Sequence, residues 1–357
     1  MSSQELSPRE RQVLVAVIQS YVATAEPAGS RTLSRRFGLG VSPATIRNTM
    51  SDLEEKGFLY HPHTSAGRVP THKAYRAYVD SLVRVDPPGQ AEQTRLSEEL
   101  GVGAAPGANA IEAILRRAAQ SLGVLTQELG VAVGPQFEAA ALRQIDLVRL
   151  AADRLLAVLT LDRGAVRTVF VEVPGVIADE AVREVARVLN ERLSGVALRD
   201  LRASVAERLR DAGPGGEGAH ELLNIFVSGG GRLFDRAAGD DAAAVLLGQP
   251  SLLADQPEFA TGPEMRRLLE LTETRDELAA LLRRRACTGA EPAPGISITI
   301  GAEHGDPRMT PFTVVTAEYR AGGLAGVIGV IGPTRMPYDK VIALVSHTSR
   351  LVSDLLH

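Results

Sequence analysis

Ser42-Pro43-Ala44-Thr45-Ile46-Arg47-Asn48-Thr49-Met50-Ser51-Asp52-Leu53-Glu54-Glu55-Lys56-Gly57 has the pattern of one capped amphipathic helix. Ser42 is an N-cap, Pro43 occupies N1, where its missing N–H costs nothing, and Ile46, Met50 and Leu53 form one apolar stripe until Gly57 stops the helix. Off that stripe, near the N-terminal half, lie Ser42, Ala44, Thr45, Arg47, Asn48 and Ser51. This is the composition of a helix that meets base edges in the major groove. Arg suits guanine O6/N7 and Asn suits adenine N6/N7, both bidentate, while Ala or Thr can touch a thymine methyl. The helix N-terminus itself favours a phosphate.

The flanks agree with that reading. Upstream, Ser7-Pro8-Arg9-Glu10 predicts a capping box, and Val13, Leu14, Val17, Ile18, Tyr21 and Val22 carry a helix to about Ala23. Glu26-Pro27-Ala28-Gly29 ends it. Ser30 is expected to cap a second helix from Arg31 to Phe37, followed by the tight turn Gly38-Leu39-Gly40-Val41. Downstream, Phe58–His61 and Arg68–Pro70 read as two strands around a Pro62–Gly67 turn, the wing of a winged helix-turn-helix. His63, Thr64, Ser65 and Arg68 at its tip are donors for phosphate, sugar or minor groove, and Arg31, Arg35, Arg36 and Lys73 are expected to neutralise phosphates. Thr71 caps a helix to about Val83 with Tyr75, Tyr78, Val79 and Leu82 inward, and Lys73 and Arg76 free to face the DNA backbone. Purely structural domains share this helix pattern, so by itself it leaves DNA binding open. His61, His63 and His72 lack a carboxylate or cysteine at zinc-ligand spacing, so a solvated wing is expected and no metal.

Charge is divided along the 357 residues. The net −4 resolves into +4 over residues 1–84 and −8 over the rest, a basic head on an acidic body. No run of about 18 apolar residues occurs and the N-terminus is polar, so a cytoplasmic protein is expected, with no membrane partner. A single cysteine, Cys287, supplies neither an intramolecular disulfide nor a thiolate cluster.

In the body, Asp86-Pro87-Pro88-Gly89 marks a boundary, Gly101–Asn109 a second loop, and Ala110–Leu129 a helix. Ile145–Leu150, Leu155–Leu161 and Val166–Val173 read as strands, as do Ile296–Ile300, Phe312–Tyr319 and Leu324–Ile331, with Tyr338–Leu356 a terminal helix. Together these predict an antiparallel sheet flanked by helices, hence α+β. Residues 179 to 285 read mostly helical, clearest in Glu180–Leu193, Leu198–Arg210 and Glu264–Arg285. Gly229-Gly230-Gly231-Arg232 lacks the Lys-Ser/Thr of a P-loop and is read as the start of a surface loop, and Gly323, Gly326 and Gly329 read as close packing in a strand. No paired-carboxylate, HExxH or triad motif stands out. No enzyme activity and no cofactor are expected.

The run from Tyr21 to Leu82 resembles the HrcA family of heat-inducible transcription repressors, through EPAGSRTLSRR, SPATIRN-M-DLEEKG and PHTSAGRVPT. Gly326–Met336 (GVIGVIGPTRM) and Ala254–Phe259 (ADQPEF) also resemble family segments, and Thr49 stands where the family pattern has Asp. The resemblance implies a winged helix-turn-helix, a GAF-like domain split in sequence, and an inserted, mostly helical dimerisation domain. On this chain these become 1–85, a linker 86–109, the GAF-like parts 110–178 and 289–357, and the insertion 179–288. It further implies a homodimer that binds the inverted-repeat operator CIRCE, represses chaperone operons, depends on the GroE chaperonin and releases on heat stress. A winged-helix regulator controlled by a small molecule in the GAF-like domain is the alternative.

Overall fold

The computed structural model describes residues 6–63, 66–101, 110–135, 137, 140–162, 166–175, 177–213, 218–238, 245–286, 295–321 and 324–356. Helix α1 (Pro8–Thr24) starts on the expected capping box: Ser7 N–H donates to Glu10 Oε2 at 2.8 Å and Glu10 N–H to Ser7 Oγ at 3.3 Å. It ends in a left-handed Ala25. Helix α2 (Ser30–Phe37) is capped by Gly29 without a side-chain bond; Ser30, expected as the cap, is its first residue and is buried. Helix α3 (Pro43–Glu55) follows Ser42, whose Oγ accepts from Thr45 N–H at 3.1 Å. Strands β1 (Leu59–Tyr60) and β2 (Val69–Pro70) pair antiparallel, shorter than the runs expected. Helix α4 (His72–Ala77) then widens into a π turn over Tyr78–Leu82. Helix α5 (Gln90–Gly101) occupies the stretch read as linker, and it is no tether: Leu96 and Leu100 are fully buried. A linker helix after Pro87-Pro88-Gly89 is the expectation from the sequence; its packing is not, because a single i, i+4 pair is a sparse signal.

The chain continues through α6 (Ala110–Thr126), β3 (Leu129–Val133), β4 (Leu142–Ala151), β5 (Arg154–Leu161), β6 (Val166–Glu172), α7 (Asp179–Leu193), α8 (Leu198–Leu209) and α9 (Ala219–Ala238). There follow β7 (Val245–Leu247), α10 (Ser251–Ala254), α11 (Gly262–Glu273), α12 (Arg275–Ala286), β8 (Ile296–Ile300), β9 (Phe312–Ala321), β10 (Leu324–Pro333) and α13 (Tyr338–Leu355). No helix among the described residues is long and apolar enough to cross a membrane.

Two sheets form where one was expected. The larger runs β7-β3-β10-β9-β8, antiparallel throughout. Helices α6 and α13 cover one face, and α11 and α12 the other, so every residue of β3 and of β8 is buried. Gly326 and Gly329 are the close approaches read from the sequence, since a Cβ on them would lie 2.3 Å from the Tyr319 hydroxyl and 2.1 Å from the Val315 carbonyl oxygen. The smaller sheet, β4-β5-β6, packs one face on α7, α8 and α9 around a separate core from Phe137 to Phe234. A period of two shows that a strand has one covered face, and is silent on which sheet it joins. Burial alternates in β5 and is continuous in β3 and β8, but the residue types do not announce it, since β8 alternates as Ile-Ser-Ile-Thr-Ile.

Two helical readings change as well. Gly229–Arg232 lies inside α9, where a Cβ on Gly230 would lie 2.9 Å from Val205 Cγ1, so the glycine lets α9 close onto α8. The loop reading fails there because tertiary packing outweighs glycine's cost of about 1 kcal/mol in a helix. The single helix expected over Glu264–Arg285 breaks at Thr274, which leaves the helical region. Thr272 and Thr274 hydroxyls donate back to the Leu269 and Glu270 carbonyls, the local bonding that competes with a helix ladder. Cys287 lies outside the described residues.

Glu128 is 2 % exposed, and its Oε2 accepts from Gln256 Nε2 at 3.0 Å. Burial pushes its carboxyl well above the usual carboxylate range. The native state therefore holds a proton that the unfolded chain has released, and stability falls as pH rises from the ordinary carboxylate pKa through the raised one. Glu128→Gln is expected to remove that slope and raise the thermal midpoint at neutral pH. Midpoints of both proteins across pH check it; parallel curves would contradict it.

Candidate nucleic-acid interface

Helix α3 turns Ile46, Thr49, Met50 and Leu53 inward. The Thr49 hydroxyl, at the position where the family pattern has Asp, donates to the Thr45 carbonyl at 3.1 Å and so faces the protein. Ser42, Ala44, Arg47 and Asn48 are exposed, and Thr45 and Ser51 half-buried. The Ser42 and Thr45 hydroxyls lie 2.9 Å apart, and Ser51 Oγ donates to the Arg47 carbonyl at 3.2 Å, so these three are partly engaged by their own helix. Arg31, Arg35 and Arg36 are exposed on α2, with the Arg36 guanidinium 5.7 Å from the Phe37 ring centre. Arg31, Arg47 and Arg68 line one cleft with Gly29, Met50 and Gly67. Three of the predicted cations thus border the uncapped start of α2, where backbone N–H groups and helix dipole favour an anion.

The β1–β2 ribbon is clamped to α3 by a residue that the sequence reading missed. Glu54 receives His61 Nδ1 on one oxygen at 2.9 Å and Arg68 Nη2 on the other at 2.8 Å, tying both sides of the ribbon. Arg68 is accordingly 11 % exposed at its side chain, and its backbone exchanges hydrogen bonds with Ala28 at 2.8 and 3.0 Å. His63 is exposed; Thr64 and Ser65 lie outside the described residues. A Cβ on Gly67 would sit 2.4 Å from the Ala28 carbonyl oxygen. Gly67→Ala therefore forces the ribbon off its seat, at about 1–3 kcal/mol for overpacking against backbone. Chemical denaturation checks this, and an unchanged midpoint would contradict it.

Lys73 is exposed, whereas Arg76 turns to the body. Lys73 Nζ donates to the Lys56 carbonyl at 2.7 Å and stands 4.5 Å from the Phe58 ring centre. Arg76, read as facing DNA, instead crosses to the body: Nη1 donates to the Ile298 carbonyl at 3.0 Å and meets Glu303 Oε2 at 3.3 Å, while Nε pairs with Asp80 at 3.2 Å. Its i, i+4 relation to Asp80 was legible; its main partner lies 222 residues away. Among the described residues Arg31, Arg35, Arg36 and Arg47 make no ion pair with a carboxylate, which leaves the cations of α2 and α3 facing solvent.

Fold and site define a mixed α/β protein with antiparallel sheets, whose small N-terminal unit offers a helix edge of exposed cations and amides. Residues 112–342 match the family model described as the HrcA protein C-terminal domain. The chain is 40 % identical to the heat-inducible transcription repressor HrcA of Xanthomonas campestris pv. campestris, over 97 % of this chain and 95 % of that protein. It is 37 % identical to the protein of the same name from Geobacter sulfurreducens, over 99 % and 98 %. The chain belongs to the heat-inducible transcription repressor HrcA family. A crystal structure described as that of a hypothetical protein at 2.2 Å superposes with a TM-score of 0.64 and 22 % identity, covering 99 % of both chains, and shares the fold.

Proposed function

We propose that this chain is a cytoplasmic, dimeric transcription repressor that reads an inverted-repeat operator of the CIRCE type through an N-terminal winged helix-turn-helix and releases it on heat stress. The observation that carries the reading is the solvent-facing edge of α3, with Arg47 and Asn48 exposed beside Arg31 and, among the described residues, no competing ion pair on Arg47. In this account Ser42, Ala44, Thr45, Arg47, Asn48 and Ser51 meet base edges, and Arg31, Arg35, Arg36, His63, Thr64 and Ser65 meet phosphate or sugar. Lys73, exposed beside Lys56, joins the phosphate contacts, and Arg68, already paired with Glu54, serves the same surface by holding the ribbon in place.

We assign the larger sheet with its helices to the GAF-like domain and move the insertion from the expected 179–288 to Phe137–Ala238, because β4-β5-β6 shares its core with α7, α8 and α9. Dimerisation through the insertion is supported by the outer face of β4-β5-β6, where Val148, Leu150, Val166 and Phe170 are exposed on one small sheet. Val148 pairs with Leu156 and Leu156 with Phe170, making a continuous apolar row across three strands. A two-fold dimer fits a two-fold site. Small-molecule control is less well supported. The cleft between α11, α12 and residues 306–309 has its Arg308 already bound to Asp306 and Glu277.

Repression follows from the bound dimer excluding polymerase, and release from a fall in the binding-competent population when unfolded clients occupy the GroE chaperonin. Transcription in vitro from a promoter carrying the repeat tests this reading. Repression is expected with protein and chaperonin, and loss of repression when denatured client is added. Equal transcription with and without the protein would overturn it.

A further inference from the structure

The two family-like segments that operator recognition leaves unused, Ala254–Phe259 and Gly326–Met336, meet at the seam between the N-terminal unit and the body. Glu258 takes the Arg335 guanidinium through both carboxylate oxygens, with Nη2 to Oε2 at 3.0 Å and Nε on Oε1. The remaining nitrogen, Nη1, donates to the Val22 carbonyl at 2.7 Å, 313 residues away in the chain. Val22 lies in the last turn of α1, whose carbonyls have no partner within the helix and whose dipole favours a cation. That turn holds no basic residue of its own, so the body supplies the cation. Arg335 is 15 % exposed at its side chain, and its forked geometry suits a carboxylate and a carbonyl at once.

The seam continues on both sides of this contact. Tyr338 sets its ring 5.8 Å from that of Tyr75 and 6.4 Å from that of Tyr78, and Arg76 reaches from α4 to Ile298 and Glu303. The N-terminal unit is therefore held at α1 by Arg335 and at α4 by the tyrosines and Arg76.

We propose that Arg335, braced by Glu258, is a positioning residue for operator spacing: it fixes the angle at which each N-terminal unit leaves the body, and so the separation of the two α3 helices in a dimer. This rests on the operator-binding reading above. Half-sites lie about 34–36 Å apart per helical turn, so a dimer with fixed heads rejects a changed spacer, whereas a dimer with freed heads follows it. Each head alone keeps its own contacts.

The test uses full-length Arg335→Gln and Glu258→Gln proteins in anisotropy titrations against three duplexes: a CIRCE-type inverted repeat, the same half-sites with two base pairs added between them, and a single half-site. The wild-type protein is expected to prefer the native spacer by about tenfold or more, and the variants to lose most of that preference while single half-site affinity stays within about twofold. Circular dichroism and thermal midpoints establish that each variant is folded. Should Arg335→Gln fail to fold, Glu258→Gln carries the same test, because the amide removes the charge and one of the two accepting oxygens while keeping the side chain's size. Folded variants that keep the wild-type spacer preference overturn the proposal. A wild-type protein that binds all duplexes alike overturns the operator reading itself, and the spacing role with it.

Discussion

Arg47→Ala is expected to weaken binding to the inverted repeat by about 1–3 kcal/mol, roughly 5- to 150-fold, and to flatten the preference at one base pair. Arg47 is exposed and makes no ion pair among the described residues, so its removal leaves no buried partner stranded. Ile46, Met50 and Leu53 keep the inner stripe, the Ser51 bond goes to the Arg47 backbone, and alanine is the better helix former. Stability should therefore stay unchanged while recognition fails. Titration against duplexes with single base-pair changes checks the prediction. A loss of equal size on every duplex would make Arg47 a phosphate contact, and no loss would remove it from the interface. Arg31→Ala is the natural comparison, because a phosphate contact loses affinity uniformly and lowers the salt slope by about one.

If the proposed dimer forms through β4-β5-β6, Phe170→Glu is expected to leave the protein monomeric. Phe170 is 60 % exposed at the β6 end of the row formed with Leu156 and Val148, and a large aromatic side chain in an apolar interface carries an outsized share of its energy, about 2 kcal/mol or more. Glutamate removes that contact and adds a charge that pairing would have to desolvate. Since the side chain points away from the core under β6, the subunit fold should survive. Operator affinity should then fall by about 10²–10⁴, the advantage of engaging two half-sites together. Sedimentation velocity with the titration checks both consequences. A Phe170→Glu protein that remains dimeric would move the subunit contact elsewhere.

Caps and stripes made the N-terminal unit legible. Ser7, Ser42 and Thr71 accept the N-terminal bonds expected of them, and Ile46, Met50 and Leu53 are buried as their spacing required. What local pattern could not convey was partnership. Nothing local singles out Glu54 on α3 until the ribbon returns Arg68 to it, or Arg335 until the fold brings Val22 and Glu258 beside it. The strands β4 to β6 were seen, yet their alternation does not name a sheet. The glycines of α9 mislead in the opposite direction, because a residue that weakens an isolated helix is what lets two helices approach closely.

Anisotropy of the full-length wild-type protein on an intact inverted repeat, a single half-site and a scrambled duplex, at several salt concentrations and with chaperonin present, tests operator recognition most directly. Selective binding to the intact repeat with two chains per duplex, an affinity that falls steeply with salt, and weaker binding to the half-site are expected. Equal, weak binding of the folded protein to the intact and scrambled duplexes would contradict it.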